Sequence, residues 1–358
     1  MDIGSLFSGG NLLAGLDIGS SSVKLAELEE SSKGISLSCF SMLPLAKGVV
    51  VDGTVVEPDA LAAALKTLFK KSGCKRKKVA ISISGNAVIV KKVSFPQMDD
   101  TEFSILIRDE AGKYLPFDDM SEVDYDFQII GENPYNPNQM DVIIVAAKKD
   151  IVEGYTGAVQ SAGLMPVIMD VDSFACETTY EENYEFEDNE TNILVNIGAS
   201  ITNINVVKGD TSVFTRDFPL GGNSITEAIA ANLGISFEEA EKAKIEGQGE
   251  DDQSRESFRE GLVVHADAIC SEIERSIEYF RSTFGFEEIK RIFLSGGGAL
   301  TPGLDKDLER RLGIPTEIID PFKKIKVEKK ALKAGPADRV GPIAVVSIGL
   351  ALRKMGEK

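Results

Sequence analysis

Apolar positions along the chain follow two alternating patterns, one with the period of a strand and one with the period of a helix. After an early glycine turn, "VKLAEL" and "GISLSCF" each predict a strand. "EPDALAAALKTLFKKSG" then predicts a helix, because Leu61, Leu65 and Leu68 share one face and Gly73 can end it. Strand and helix patterns continue to alternate along the sequence. We therefore predict an α/β protein in which sheets and helices form layers.

A different order of elements begins after Phe95 and Pro96. "DDTEFSILIRDEAGKYLPF" predicts a capped helix ended by Pro116, and the strand patterns "EVDYDFQII" and "MDVIIVAAK" follow it. A further helix is predicted over 150–162. This block, 93–165, is predicted to be a subdomain inserted into an otherwise repetitive scaffold.

One stretch near the start, "LAGLDIGSSSVKLAEL", is echoed later by "ILVNIGASITNINVV". Each has an apolar strand, a polar residue, Ile-Gly, small hydroxylated residues and another apolar strand. The polar residue is Asp17 in the first copy and Asn196 in the second. Two such hairpins predict a duplicated fold that holds a ligand between its halves. The acidic stretch 181–190 marks the predicted boundary between the halves.

The chemistry of these turns favours phosphate. Gly19 lets the backbone approach a ligand closely, and successive N–H groups in a tight turn form an anion-binding concavity. Ser20 to Ser22 add hydroxyl donors, Lys24 adds a positive charge, and Asp17 could hold Mg²⁺ through water. Neither hairpin matches the P-loop or the dinucleotide-binding pattern. A nucleotide site here would therefore belong to another architecture.

The second half contains a third glycine-rich stretch and two candidate helix starts. In "RIFLSGGGALTPGLDKDLERRLGIP" a buried strand is followed by three glycines, whose bare backbone predicts a flat surface for an aromatic base. Thr301 is expected to cap the helix that follows. Ser224 with Glu227, and Ser236 with Glu239, have the spacing of capping boxes.

Composition narrows the possible functions. A net charge of −18 argues against nucleic-acid binding, and 43% hydrophobic with 27% charged residues is typical of a soluble globular protein. No uncharged apolar run approaches the roughly 20 residues that a membrane span requires, and no secretory signal is evident. The four cysteines are far apart and only one histidine is present, so we expect reduced cytoplasmic thiols rather than a zinc site.

The order of these motifs resembles the actin-like ATPase superfamily. On that resemblance, Leu16 to Lys24 is the first phosphate motif, Asn196 to Ser200 the second, and Ser295 to Gly303 the adenosine motif. "VIMDVDSFACE" and "AICSEIERSIEYF" are similar to the two connecting segments. "EEAEKAK" is similar to a helix whose Glu and Lys approach the ribose or adenine. The implied fold has two duplicated α/β domains around a nucleotide cleft.

The resemblance also implies roles for individual residues. Asp17 would organise Mg²⁺, and Asp170 or Asp172 would orient the water that attacks ATP. The expected contacts to ATP are Gly19, Ser20, Ser21, Ser22, Lys24, Asn196, Gly198, Ala199, Glu241, Lys244, Gly296, Gly297 and Gly298. Many relatives have Asp where this chain has Asn196, and a neutral amide attracts Mg²⁺ less than a carboxylate does. We therefore expect ATP binding with slow or negligible hydrolysis.

Within the superfamily, the inserted block and the "DVDSFA" segment are similar to the PilM family of type IV pilus assembly. The cell-division protein FtsA shares this block, called subdomain 1C. FtsA normally ends in an amphipathic membrane-targeting helix, whereas this sequence ends in "LRKMGEK" after a core-like helix. The implied division is subdomain 1A (1–92, completed by 166–190 and 336–358), 1C (93–165), and domain 2 (191–335, with a small 2B at about 224–288).

The PilM resemblance implies a cytoplasmic scaffold on the inner face of the cytoplasmic membrane. Its partner would be the N-terminal cytoplasmic tail of PilN, held between 1A and 1C, with PilO and PilP further along the complex. We expect the groove at the 1C block and strands such as "VAISIS". Pilus motor ATPases are possible further partners, and membrane contact would be indirect. Two alternatives remain open: an FtsA-like filament former, and a small-molecule kinase related to sugar and acetate kinases.

Overall fold

The computed structural model describes residues 13–85, 88–133, 136–246, 252–285 and 288–355. The strands are β1 (Ala14–Ile18), β2 (Ser22–Ser31), β3 (Gly34–Pro44), β4 (Val50–Val51), β5 (Thr54–Val55), β6 (Lys78–Ile83), β7 (Val88–Pro96), β8 (Val123–Asn133), β9 (Asn136–Lys148), β10 (Met165–Val171), β11 (Thr191–Ile197), β12 (Thr202–Lys208), β13 (Thr211–Phe218), β14 (Ile289–Ser295), β15 (Thr316–Ile318) and β16 (Lys326–Val327). The helices are α1 (Pro58–Ser72), α2 (Asp100–Tyr114), α3 (Lys149–Ser161), α4 (Asp172–Asn183), α5 (Gly222–Leu233), α6 (Phe237–Glu246), α7 (Asp252–Phe284), α8 (Leu304–Leu312) and α9 (Ala337–Leu352).

A six-stranded sheet with the order β10-β6-β1-β2-β3-β16 forms the first half of the fold. β1, β2 and β3 are an antiparallel meander, whereas β6 and β10 run parallel to β1. β6 lies inside this sheet, and every residue after Lys78 is buried. The expectation that "VAISIS" lines a partner groove is therefore wrong, because the side chains of 79–83 are buried.

The second half repeats this plan in a five-stranded sheet with the order β13-β12-β11-β14-β15. Here too an antiparallel meander is followed by two parallel strands. The equivalent order in the first sheet is β3-β2-β1-β6-β10, so the sequence echo reflects a duplicated α/β fold, as predicted. The part of 224–288 that the structure describes is helical, and residues of α5, α6 and α7 pack with β11 in one core.

The inserted block contains a three-stranded sheet with the order β7-β9-β8. Its own core joins Phe95, Phe103 and Val142, and the aromatic rings of Phe95 and Phe103 meet edge to face. The sheet begins at Val88, five residues before the expected boundary at 93. α3, which we assigned to the block, packs in the core of the first sheet instead, because its buried face (Ile151, Tyr155 and Val159) meets α1.

Two helices link the halves. α4 follows β10 of the first sheet but packs on β11 and β12, whereas α9 follows β16 and packs on β1 and β2 of the first sheet and also contacts α4 and β14. A Cβ at Gly15 would lie 1.9 Å from the Ser347 carbonyl, and one at Gly349 would lie 1.8 Å from that of Ala175. Glycine at these two positions therefore allows backbones to touch. The close packing fixes the ends of β1 and β11 near each other, where both glycine turns occur.

Candidate functional site

Asp17 and Lys24 form an ion pair beside the first glycine turn. They are paired in register on β1 and β2, and Lys24 Nζ lies 2.8 Å from Asp17 Oδ2. The Gly19 N–H donates to the Ser22 carbonyl at 3.1 Å and closes the turn. A Cβ at Gly19 would lie 3.7 Å from Lys24 Nζ, so the ammonium group is next to the turn backbone. The ion pair thus places an ammonium group and a carboxylate side by side, at the position where a phosphate and its metal ion would bind.

The second turn has the same backbone and different charges. The Gly198 N–H donates to the Ile201 carbonyl at 2.9 Å, which repeats the bond from Gly19 to Ser22. Asn196 pairs in register with Asn203, and its Nδ2 donates to Asn203 Oδ1 at 2.9 Å. An amide pair therefore replaces the Asp–Lys ion pair of the first hairpin. Asn196 removes a negative charge, but its partner removes a positive one, which the sequence echo alone did not reveal.

The two turns meet across the cleft. Ser20 Oγ donates to Ser200 Oγ at 2.9 Å, and Asn223 Nδ2 donates to the same Ser200 oxygen at 3.1 Å. Ser20 and Ser200 are half-buried, whereas Ser21 at the tip of the first turn is exposed. The predicted ligand contacts from the two halves therefore converge on one place, 180 residues apart in sequence.

A pair of glycines that we did not predict supports the second turn. The N–H groups of Gly222 and Asn223 donate to the carbonyls of Gly198 and Ala199 at 2.9 and 2.8 Å. A Cβ at Gly221 would lie 2.5 Å from the Gly198 oxygen. α5 begins at Gly222, and Ser224 Oγ donates to the Gly221 carbonyl, so the capping box predicted at Ser224 is wrong. Adjacent glycines just before a helical pattern were the available signal.

Glu241 and Lys244 lie beside these glycines. Lys244 Nζ is 2.6 Å from Glu241 Oε2 and donates to the Gly222 carbonyl at 3.0 Å and to Thr226 Oγ1 at 2.7 Å. Thr226 in turn donates to Glu241. The side chain of Lys244 is largely buried, unlike that of a solvent-exposed helix pair. The predicted ribose or adenine contacts are thus anchored to the start of α5.

The three glycines of the adenosine motif play different parts. Gly296 has φ +82°, and its N–H donates to the Pro342 carbonyl at 2.8 Å. A Cβ at Gly298 would lie 2.3 Å from Ile197 Cγ2, whereas one at Gly297 would meet nothing within 4 Å. Only Gly297 is exposed, so it alone offers open backbone and the other two serve close packing. Thr301 does not cap α8, whose N-cap residue is Gly303.

The two candidate water-orienting carboxylates lie in different environments. Asp170 accepts from Arg353 Nε at 2.7 Å in an ion pair. Asp172 accepts from Ser82 Oγ. Burial, with the nearby Asp17 carboxylate second, raises the pKa of Asp172 to about 6. Asp172 therefore shares the electrostatic environment of the first phosphate turn, whereas Asp170 is neutralised by an arginine.

Comparison with known proteins agrees with this geometry. The family described as "Type IV pilus assembly protein PilM" matches residues 15–355. A chain of a "PilM-PilN type IV pilus biogenesis complex" has a TM-score of 0.82 and 30% identity, covering 95% of this chain and 98% of that one. The ethanolamine utilization protein EutJ from Carboxydothermus hydrogenoformans has a TM-score of 0.57 and 18% identity, covering 95% and 89%.

The fold is therefore the actin-like ATPase fold predicted from the motif order. Among the described residues, no helix is both long and apolar enough to cross a membrane. The family match extends over nearly the whole sequence and includes both hairpins, the inserted block and the adenosine motif. This chain belongs to the PilM family of type IV pilus assembly proteins.

Proposed function

We propose that this chain is a nucleotide-binding scaffold of type IV pilus assembly that binds the N-terminal cytoplasmic tail of a PilN protein. Family membership supports the role in pilus assembly. The similar PilM-PilN complex, at 30% identity over 95% of this chain, supports the partner. The contact between Ser20 and Ser200 is the observation that supports nucleotide binding, because it joins two anion-binding turns at the cleft.

In this proposal ATP lies with its phosphates between the two turns. The N–H groups and hydroxyls around Gly19 and Ser20 would contact the phosphates, with Lys24 beside them. Gly198 and Ala199 would contact them from the other side. The base would lie over Gly297, whose backbone is open, and Glu241 with Lys244 would approach the ribose. Ser21 and Ser22 would add hydroxyls on the side of the first turn, and Asn196, Gly296 and Gly298 would support the backbone of this site.

The residues at the first turn fit Mg²⁺. Asp17 is close enough to Asp172 to raise its pKa, and a divalent cation would relieve the repulsion between the two carboxylates. Within the described ranges no cluster of three or more His, Cys, Asp or Glu side chains could hold a metal. That fits Mg²⁺, which keeps several waters and is usually bound through one or two carboxylates plus phosphate oxygens. When bound, the ion would neutralise phosphate charge.

Hydrolysis is proposed to be slow. Asp172 is the better candidate for orienting the attacking water, because Asp170 is held by Arg353. The side chain of Asn196 is engaged by Asn203, and neither amide carries charge toward a metal-bound water. Binding would therefore set the relative position of the two halves more than it would drive turnover. A turnover rate typical of a metabolic kinase would contradict this.

In this proposal, binding to PilN holds the chain at the inner face of the cytoplasmic membrane. That tail would connect it to PilO and PilP, and pilus motor ATPases are further candidate partners.

Two titrations test the proposal separately. A synthetic peptide of the N-terminal cytoplasmic tail of PilN from the same genome is titrated onto the full chain with and without ATP and Mg²⁺. We expect saturable binding in both conditions and none with a scrambled peptide; no binding in either condition refutes the partner. Nucleotide binding is measured by thermal unfolding, since a ligand at 100 times its Kd stabilises by about 2.7 kcal/mol. No stabilisation by ATP refutes the nucleotide part.

A further inference from the structure

A row of polar residues crosses three neighbouring strands of the second sheet at the cleft. Asn196 of β11 is in register with Asn203 of β12, and Asn203 is in register with Asp217 of β13. Side chains opposite one another on adjacent strands point to the same face. The row therefore begins at the second phosphate turn and ends in a carboxylate that no motif singled out.

Asp217 contacts the other half of the molecule. Its Oδ2 accepts the N–H of Gly85 at 2.6 Å. Gly85 lies in the turn that follows β6, and Ser82, near the end of β6, donates from its hydroxyl to Asp172. The end of β6 and the turn after it are thus held by two carboxylates: Asp172 of the same half contacts Ser82, and Asp217 of the opposite half contacts Gly85.

The same turn is packed against the second phosphate hairpin. A Cβ at Gly85 would lie 2.9 Å from Ile201 Cδ1, and one at Gly53 would lie 3.6 Å from the same atom. Gly85 has φ +89°, a conformation that favours glycine. From the second half, Ile201 therefore makes an apolar contact with the turn, and Asp217 accepts a hydrogen bond from it. Relative movement of the two halves would break both contacts.

We infer that Asp217 is a positioning residue that holds the turn at Gly85, and through the end of β6 also Asp172, in the arrangement of the halves that encloses the nucleotide. The inference rests on the proposed nucleotide binding. Asn196, at the other end of the row, provides no carboxylate. Asp217, two strands away, provides a carboxylate and directs it toward the first half. Its role is that of a hydrogen-bond acceptor, because its Oδ2 accepts a backbone N–H.

The experiment measures the release of a fluorescent ATP analogue, with Mg²⁺ present, from the full chain after mixing with excess unlabelled ATP. Asp217→Ala is expected to release the analogue about tenfold faster, since it removes a charge-assisted acceptor. Asp217→Asn keeps an oxygen that can accept from Gly85 and is expected to stay within about threefold of wild type. Asp210→Ala, an exposed acid just before β13, is the matched control and should not change the rate.

A double variant separates positioning from an independent effect. Ser82→Ala removes the hydroxyl that joins the end of β6 to Asp172. If Asp217 acts through the turn and the end of β6, Ser82→Ala with Asp217→Ala releases the analogue no faster than the faster single variant; fold-changes that multiply overturn the inference. Release of the analogue from Asp217→Ala at the wild-type rate overturns the inference as well. If Asp217→Ala does not fold, Asp217→Ser, too short to reach Gly85, replaces it. A wild-type chain that binds no analogue refutes the proposed nucleotide site and this inference together.

Discussion

Gly221 and Gly222 are adjacent, yet the structure predicts opposite outcomes for an added methyl group. A Cβ at Gly221 would lie 2.5 Å from the Gly198 oxygen and 2.7 Å from the Ala199 oxygen, both backbone atoms of the second phosphate turn. A Cβ at Gly222 would have as its nearest neighbour Lys244 Nζ at 3.4 Å, the end of a side chain rather than a backbone atom. Gly221→Ala should therefore displace the turn, whereas Gly222→Ala should leave it in place.

The magnitude follows from the contacts that Gly221→Ala disturbs. Overpacking of this kind costs about 1–3 kcal/mol. Displacement of the turn also strains the hydrogen bonds from Gly222 to Gly198 and from Asn223 to Ala199, each worth about 1 kcal/mol. We expect Gly221→Ala to lose about 2–4 kcal/mol of unfolding free energy. Gly222→Ala should fall between no change and a gain of up to about 1 kcal/mol, because alanine favours helix over glycine.

Urea unfolding of the wild type and both variants measures the stability difference, and ATP titration of the folded variants measures affinity. A displaced turn should weaken ATP binding by about tenfold or more, since a 1.4 kcal/mol loss of contact energy is a factor of ten. Gly222→Ala should bind ATP with a Kd within about threefold of the wild-type value, because its added methyl group does not displace the turn. Equal stability and equal ATP affinity in the two variants would refute the packing of α5 against the second turn.

Three further predictions concern single charges. Lys24→Met leaves Asp17 unpaired and should cost about 1–3 kcal/mol, part of which Mg²⁺ restores in a thermal melt; Lys33→Met, an exposed control, should not respond to Mg²⁺. Glu177→Gln should flatten the dependence of urea stability on pH between about 4.5 and 8, because burial raises the pKa of Glu177 from 4.5 to about 8, so wild-type stability falls as pH rises through that window. Lys47→Ala, which removes contacts to Glu227 and Phe237 across the cleft, should speed nucleotide release about two- to threefold, unlike the exposed control Lys66→Ala.

Each of these has a contradicting outcome. An Mg²⁺ response of Lys24→Met no larger than that of wild type would place the metal away from Asp17. A Glu177→Gln variant that keeps the wild-type pH profile would show that the carboxyl is ionised and paired in the fold. Release from Lys47→Ala at the wild-type rate would mean that the contacts across the cleft mouth contribute nothing to retention.

The features that the sequence predicted well are those whose signal is local. A glycine between two apolar strand patterns predicted both hairpins, and their repetition predicted the duplicated halves. Ser236 and Glu239 form the expected capping box, with hydrogen bonds between the Ser236 N–H and hydroxyl and the Glu239 carboxylate. In each case the interacting residues are within a few positions of one another, so spacing alone carries the information.

The features that escaped prediction depend on register and on packing between distant segments. The pairing of Asn203 with Asn196 follows from strand register, and Asp217 gained its contact only when β13 met the turn after β6. Gly296 and Gly298 looked like an open surface, but Ile197 fills the space beside them. α3 was assigned to the inserted block by its position in sequence, whereas its apolar face packs on α1.

The crossing of α4 and α9 between the halves has a consequence for synthesis on the ribosome. Five of the six strands of the first sheet are made before the second half begins, yet β16 and α9, whose backbone touches Gly15 of β1, are made last. The N-terminal half therefore emerges with an uncovered apolar face, contrary to the usual order in which domains fold one after another. Expression of the chain without α9 should leave that face available to chaperones or to aggregation.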